Sequence, residues 1–279
     1  MLPDDDDAML AWAELVPPRD PAEGLFARDS WLRRVSGDPV LIFGGGRALL
    51  LEVAHPLVAA GVAEHSDFRH DPFGRLQRTL EAMSAIVFRD RATALAAARS
   101  VERSHLRVRG TLARAAGPWA TGTPYSGRDP DLMCWIWATL LDTALVVYQR
   151  FVAPLSEPAL AAYHREQGAL ARLLGVPAQR VPDEPESFRR YLRGTLEGPA
   201  LFVTDQAREI ARAVLGAPAG PWGETANLLA VGLLPERLRA DFGLTWDEAR
   251  ERELRTLEAR VRAARAGAGA PVDGGGQAR

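Results

Sequence analysis

The groups best suited to chemistry are concentrated between Gly44 and Gly110. This stretch contains four of the five histidines of the 279-residue chain: His55, His65, His70 and His105. It also carries Arg75, Arg78 and Thr79 at helical spacing, so cationic groups and a hydroxyl share one side of a predicted helix. The rest of the sequence has no comparable density of such groups. We therefore expect this stretch to form one wall of an active site, supported by the remainder of the chain.

His105 is the strongest single candidate for a metal ligand. It follows Ala98 and Val101 and precedes Val108 and Leu112 at intervals of three or four residues, which places it on the apolar side of a predicted helix. An imidazole directed into an apolar pocket can be the axial ligand of a haem iron. The alternative is a core histidine that is hydrogen-bonded to a carbonyl or a carboxylate. The residue pattern alone leaves both interpretations open.

Arg75 and Thr79 are candidates for the opposite wall of the same site. They are four residues apart, with Thr79 near the apolar stripe of its helix and Arg75 at the edge of that stripe. A guanidinium and a hydroxyl that face one cavity can hold a propionate, dioxygen or a reacting carbonyl. Arg78 lies beside them. The alternative is a solvated arginine face with surface ion pairs.

A second arrangement of the same region predicts different chemistry. Glu52 and His55, like Glu102 and His105, form Glu-x-x-His pairs on two predicted helices. Two such pairs and one further Glu from each of two other helices are the ligand set of di-iron carboxylate bundles. The further ligands would be Glu81 and either Glu14 or Glu23. This non-haem di-iron site is kept as an alternative to haem.

Two smaller groups of polar residues have less specific patterns. His65, Asp67 and His70 crowd a short loop whose spacing matches no standard zinc motif, so we expect loop-capping hydrogen bonds there. Three further residues surround a capped helix start, where they would line a pocket or pack in the core: Tyr125, Asp129 and Trp135.

Composition excludes several classes of function. The net charge of -2 argues against a nucleic-acid partner, because nucleic-acid binders concentrate basic residues. A single cysteine, Cys134, excludes an internal disulfide and any Cys-rich metal site. The acidic start shows no secretory signal, so we expect a cytoplasmic location. The longest apolar run, Leu132–Tyr148, contains Asp142, which favours a buried core helix and predicts no integral membrane segment.

The hydrophobic pattern predicts an all-α fold with one globular domain. Residues 1–23 are expected to form a flexible arm, 24–265 the helical domain, and 266–279 a disordered tail. Gly44–Gly46 is expected to punctuate the chain before a helix that Pro56 kinks. The predicted helices are Leu25–Val35, Arg47–Val62, Phe73–Phe88, Ala92–Ala113, Leu132–Phe151, Ser156–Leu174, Pro185–Leu196, Leu201–Leu215, Glu224–Leu234 and Trp246–Arg265.

Several of these motifs, in this order, resemble one known family, the MpaB-type oxygenases, which include the latex-clearing proteins or rubber oxygenases. The resemblance extends over roughly residues 37–182, and the ordered set is far more specific than any single motif. It is carried by His55-Pro56, Gly61–Phe68, Asp71–Thr79, His105–Gly110, Pro124–Ser126, Asp129-Pro130 and Trp135.

This resemblance implies a b-type haem in a helical, globin-like core with additional helices. His105 matches the proximal iron ligand of the latex-clearing proteins. Arg75 and Thr79 match the Arg and Thr of their distal Arg-x-x-Lys-Thr motif. Arg78 stands where that motif has Lys, and an arginine is a poor iron ligand because it stays protonated. Latex-clearing proteins are exported, whereas this sequence shows no secretory signal. Rubber itself is therefore an unexpected substrate.

Together these observations predict a haem-dependent oxygenase. It would use dioxygen to oxidise an apolar small molecule or to cleave its C=C bond, with an isoprenoid or another alkene as the substrate class. His105 would hold the iron, while Arg75, Thr79 and Arg78 would serve the oxygen side. The alternatives are the di-iron oxidase described above and a non-catalytic carrier of haem or of an apolar ligand.

Overall fold

The computed structural model describes residues 24–68, 72–216 and 222–267. The fold is 72% helical with one small two-stranded sheet, which confirms the predicted all-α single domain. The predicted flexible arm (1–23) lies outside the described residues, as does all of the predicted tail from residue 268 onward. The domain limits therefore stay predictions.

The helices follow one another with short connections. In chain order the elements are α1 (Trp31–Ser36), a 3-10 helix (Pro39–Gly44), α2 (Gly45–Val53), α3 (Pro56–His65), α4 (Pro72–Phe88), α5 (Arg91–Arg107), β1 (Arg109–Thr111), β2 (Pro124–Ser126), α6 (Pro130–Phe151), α7 (Glu157–Leu173), a second 3-10 helix (Ala178–Arg180), α8 (Pro185–Glu197), α9 (Asp205–Gly216), α10 (Gly223–Gly232), α11 (Glu236–Phe242) and α12 (Glu248–Gly267).

Helix α6 is the central element of the core. Asp129 caps its start by accepting backbone hydrogen bonds from Asp131 and Leu132, and Pro130 takes the first helical position. No residue from 132 to 151 is exposed, so the predicted core helix is confirmed. Its one acidic interior residue, Asp142, is neutralised by Arg47 of α2 at 2.6 Å. A charge in this apolar helix is tolerated because it has a buried partner.

By length and composition, α6 also qualifies as a candidate membrane span, although 67% of its apolar window is buried inside the protein. A bent pair, Pro39–Val53 with Pro56–His65, qualifies only if its two parts, which meet at 112°, count as one span. The core of a soluble protein passes the same test, so the predicted absence of an integral membrane segment stays a prediction.

The helix predicted over Arg47–Val62 is broken in two rather than kinked. Pro56 starts α3, and His55 caps it, because its Nδ1 accepts a hydrogen bond from the backbone N–H of Leu57 at 3.3 Å. The carbonyl of Glu52, which the proline deprives of its helical partner, accepts the indole N–H of Trp135 at 3.3 Å. His55 therefore makes a structural hydrogen bond to local backbone at this break.

The glycines at 44–46 lie where the 3-10 turn ends and α2 begins, so they open the helix as predicted, but no loop separates the two elements. A Cβ on Gly44 would lie 2.7 Å from a methyl group of Thr143, and a Cβ on Gly46 would lie 2.9 Å from that of Ala230. Glycine is required here because α2 packs closely against α6 and α10.

Helices α4 and α5 form a helical hairpin joined by two residues. The predicted helix Ala92–Ala113 was too long, because α5 ends at Arg107 and the chain turns into β1. Strand β1 pairs antiparallel with β2, with Gly110 opposite Tyr125. This short sheet was not predicted. It forms because a distant segment supplies the hydrogen bonds that would otherwise have continued the helix.

Two further differences concern helix limits. The first helix begins at Trp31 rather than Leu25, since Ser30 caps it by accepting a hydrogen bond from the N–H of Arg33. Helix α11 (Glu236–Phe242) was not predicted; Gly243 ends it in the left-handed conformation, at φ 71°.

Candidate active site

An apolar cavity of about 600 Å³ lies between the 3-10 turn, α2, α4, α6 and α7. Two of the hydrophobic side chains in its lining, Ile42 and Leu80, are 52% and 40% exposed, so the cavity opens to solvent between them. Its apolar lining residues include Leu41, Ala48, Leu49, Met83, Val87, Phe88, Trp137, Leu140, Leu170 and Leu174. A chamber of this size and lining is typical of sites for apolar small molecules.

A few polar side chains interrupt the apolar wall. Glu52 comes from the end of α2, Thr79 from α4 and Gln167 from α7. At the rim, Asp38 is held by two hydrogen bonds from Arg265 of α12, at 2.7 and 2.8 Å. No Arg or His belongs to the described lining, so the charge on the cavity wall is entirely acidic.

The three predicted residues of α4 have different positions. Thr79 is exposed but belongs to the cavity lining, and it comes before the other lining residues of α4 in the chain. Arg78 is exposed and is not part of the described lining, although it has interactions elsewhere. Arg75 lies within α4, but its side chain is outside the described residues. Of the described side chains of this motif, only that of Thr79 lines the cavity.

His105 lies in the last turn of α5, at the junction with the small sheet. The apolar stripe predicted on both sides of it exists only on the N-terminal side, because Val108 and Leu112 have left the helix. The ring is half-buried, its Nδ1 is fully buried, and no described residue hydrogen-bonds to that atom. Burial lowers the pKa of His105 below its ordinary value, so the imidazole is neutral at physiological pH.

The cavity and His105 are distinct places in this structure, since His105 is not among the described lining residues. In the hairpin, however, the end of α5 returns toward the start of α4, where the motif Arg75-x-x-Arg78-Thr79 begins. The order of the two helices therefore places both motifs in one hairpin, with Thr79 in the cavity lining and His105 outside it.

Within the described residues, the two Glu-x-x-His pairs are not brought together as a di-iron ligand set. Glu102 faces Arg128 at 3.6 Å, and Glu81 accepts a hydrogen bond from Gln77 on the surface. Within the described ranges, no three His, Cys, Asp or Glu side chains lie together as metal ligands. The other proposed ligands, Glu14 and Glu23, are outside those ranges. A carboxylate that neutralises an arginine is not free to complete a bimetallic cluster.

The loop and helix-start residues have structural roles. The hydroxyl of Tyr125 donates to Glu64 at 2.5 Å, and the exposed His65 contacts the carbonyl of Arg109 at 3.1 Å. Burial, reinforced by the Glu64 carboxylate, raises the pKa of Tyr125 above its ordinary value. Asp67 is exposed, and His70 lies outside the described residues. Tyr125, Asp129 and Trp135 pack and cap, and none of them lines the cavity.

Sequence reasoning missed His164 on α7. Its side chain is 2% exposed, it packs 5.1 Å from the ring of Phe188, and its Nδ1, like that of His105, is buried without a partner among the described residues. Burial, reinforced by Arg189, lowers the pKa of His164 to about 4. His164 could have been identified from its position among the apolar residues of α7. It was not, because His164 belongs to no recognised motif.

The buried histidines predict a stability that falls with acid. Burial also lowers the pKa of His55 to about 4, partly offset by Asp129. Because the unfolded histidines bind protons below about pH 6.5 and the folded ones only near pH 4, stability falls across that window. We expect each of the two histidines, His55 and His164, to lower the free energy of unfolding by about 2–3 kcal/mol between pH 7.5 and 4.5.

This prediction is measured by urea unfolding of wild type and His164→Leu at both pH values. The variant lacks one of the two groups, so its free energy of unfolding should fall by about 2–3 kcal/mol less than that of wild type. An equal fall in both proteins would show that His164 does not titrate in this way.

Comparison with known proteins gives one family match. The family described as ER-bound oxygenase mpaB/B'/Rubber oxygenase, catalytic domain, matches residues 33–266. No curated protein and no solved structure matches the chain, so the globin-like character of the core stays a prediction. The matched range contains the cavity lining, Thr79 and His105, and it confirms the family suggested by the sequence motifs. The chain therefore belongs to the MpaB and rubber oxygenase family.

Proposed function

We propose that this protein is a haem-dependent oxygenase that oxidises an apolar small molecule or cleaves its C=C bond. Membership of the family supports an oxygenase, and hence an oxidoreductase. The observation that carries the haem proposal is the half-buried ring of His105, whose Nδ1 has no hydrogen-bond partner among the described residues. A buried nitrogen without a partner is costly unless a ligand completes it.

His105 has the properties that an axial ligand needs. Its lowered pKa keeps the imidazole neutral, so a lone pair is available at neutral pH. It stands at the end of a 17-residue helix, where its carbonyl accepts the N–H of Val108 at 3.0 Å, which fixes the backbone that carries the ring. Haem b held there would supply an iron that binds and activates dioxygen.

The cavity supports an apolar substrate. Its lining is mostly aliphatic and aromatic, and it opens between two exposed hydrophobic side chains, Ile42 and Leu80. A substrate that fills it would displace water, so the reaction would proceed in a medium of low polarity. The hydroxyl of Thr79 on the cavity wall is placed to donate a hydrogen bond where negative charge develops on oxygen.

Other parts of the proposal rest on the sequence. Arg75 and Arg78 are retained as oxygen-side residues because of the motif they share with Thr79. The net charge of -2 supports the absence of a nucleic-acid partner. A cytoplasmic location and the absence of an integral membrane segment are also kept as proposals.

The direct test is a visible absorption spectrum of the purified protein together with metal analysis. The proposal expects an intense Soret band and about one iron per chain. Two irons per chain without that band would establish the di-iron alternative. Absence of both, even after reconstitution with haem, would rule out haem dependence and leave either a carrier of an apolar ligand or a different enzyme.

Thr79→Ala should lower turnover while retaining haem. If its hydroxyl stabilises developing charge on oxygen, its loss should cost roughly ten- to a thousand-fold in kcat. The measurement is the rate of oxygen consumption in the presence of an alkene that the wild-type protein oxidises. Arg75→Ala should behave in the same way if its guanidinium serves the same oxygen.

Two controls identify the hydroxyl as the cause. Thr79→Ser keeps the hydroxyl and should retain most activity, whereas Gln77→Ala changes an exposed residue of the same helix and should leave activity unchanged. Wild-type turnover in a folded Thr79→Ala protein would show that this hydroxyl has no part in the reaction.

A further inference from the structure

One buried amide interrupts the apolar wall of the cavity. Gln167 is 7% exposed and lines the cavity from α7, near Trp137 and Leu170. Its backbone carbonyl accepts the indole N–H of Trp137 at 3.1 Å, and its Nε2 donates to the hydroxyl of Tyr163 at 2.8 Å. Tyr163 is itself fully buried, so the amide is held from behind by a rigid partner.

The other end of this amide remains available. In the described part of the chain, Oε1 of Gln167 accepts no hydrogen bond. It also does not belong to the unbonded polar atoms that are fully buried. Oε1 therefore keeps some contact with open space, and the cavity is the open space that Gln167 is known to line. Because Nε2 is bonded to Tyr163, the atom left for a ligand is an acceptor. A hydroxyl group can donate to this acceptor, whereas an ether oxygen cannot.

The charges of the described cavity lining disfavour an anionic ligand. Glu52 and Asp38 contribute carboxylates to the lining, and no described lining residue is a cation. The guanidinium of Arg265 at the rim is already bonded to both oxygens of Asp38. A carboxylate brought into this apolar space would find no positive partner among the described lining residues and would lose its hydration.

We propose that the cavity is specific for an apolar molecule that carries one hydroxyl group, bound with the hydroxyl on Gln167. This inference rests on the proposed function, because it assigns the cavity to the substrate, and it narrows the substrate class to neutral apolar alcohols. The corresponding acids would be rejected. A hydrogen bond in a desolvated site discriminates strongly against molecules that cannot make it, since the amide is then left unsatisfied.

The test compares two isomers, 1-octanol and 1-methoxyheptane, which have the same atoms but differ in the hydroxyl donor. Binding is followed by intrinsic fluorescence, because Trp137 lines the cavity, and Trp137→Phe identifies its share of the signal. We expect wild type to bind 1-octanol about 3- to 10-fold more tightly than its isomer. Octanoate should bind more weakly than either.

Gln167→Met keeps the length of the side chain but removes its amide, and should abolish the preference for 1-octanol. Tyr163→Phe is the matched control. It removes the support of the amide but not the amide itself, so it should retain most of the preference. Circular dichroism checks that both variants are folded. If Gln167 only supports the core, the two variants will alter the preference equally, which overturns the inference.

This assay needs neither haem nor turnover, so its failure is separate from failure of the proposed function. Equal binding of the two isomers by wild type would refute hydroxyl recognition even in a protein with an intense Soret band. A preference for 1-octanol that depends on Gln167, in a protein that binds no haem, would support the inference and refute the haem proposal.

Discussion

We expect the His105→Ala variant to lose the tight haem binding proposed above. The structure offers this imidazole as a neutral ligand at the end of α5, with one ring nitrogen buried and unbonded among the described residues. Without it, an iron would lose its strong protein ligand. We expect the purified variant to contain little haem, or to hold it weakly with a shifted Soret band. Added imidazole should partly restore the wild-type spectrum.

His164→Ala is the matched control for this experiment. His164 shares the buried, unpaired Nδ1 and the lowered pKa of His105, but it does not belong to the family motif. The control variant should be less stable and should still bind haem with the wild-type spectrum. The opposite result, with haem lost from His164→Ala and retained by His105→Ala, would move the axial ligand to α7 and contradict the assignment of the site.

Asp142→Ala should cause the largest loss of stability. Arg47 is 4% exposed and donates to Asp142 at 2.6 Å, to the hydroxyl of Thr143 at 2.7 Å and to the carbonyl of Leu233 at 2.7 Å. Removing the carboxylate leaves a buried guanidinium without its counter-charge. Such losses cost about 3–5 kcal/mol. Urea unfolding monitored by circular dichroism measures the change in the free energy of unfolding.

Two further variants test this explanation. Glu248→Ala removes one partner of an exposed pair with Arg252 and should leave stability within experimental error. The double variant Arg47→Met with Asp142→Leu removes both charges together, and should recover much of what Asp142→Ala loses. If Asp142→Ala were as stable as wild type, the ion pair between Arg47 and Asp142 would not stabilise the packing of α2 against α6.

Local signals in the sequence determined the class of the fold and much of its layout. Asp129-Pro130 started α6 at the predicted place, since a side-chain cap and a proline at the first position act within a few residues. The same holds for the break at Pro56, where the missing N–H is a property of one residue. The ordered motifs determined the family, because they are read directly from the chain.

The arrangement of the candidate site was decided only by tertiary structure. Helical spacing grouped Arg78 with Thr79, and both side chains are exposed, but packing against α2 and α6 decided that only Thr79 of these two belongs to the cavity lining. Similarly, the pattern around His105 continued past Arg107, and the helix stopped there because β2 supplied a pairing partner. A periodic pattern records which side of an element is apolar, but not which neighbour will cover it.

The same limit explains the features that the sequence did not reveal. The close packing at Gly44 and Gly46 depends on side chains roughly 100 and 180 residues away, and the tie between Arg47 and Asp142 spans 95 residues. The position of Gln167 in the cavity depends on the approach of α7 to α2 and α4, elements distant in sequence. Caps, breaks and motifs are local and were therefore determined by the sequence alone. The cavity and the partners of its buried polar groups exist only where distant segments meet, so the tertiary structure decided them.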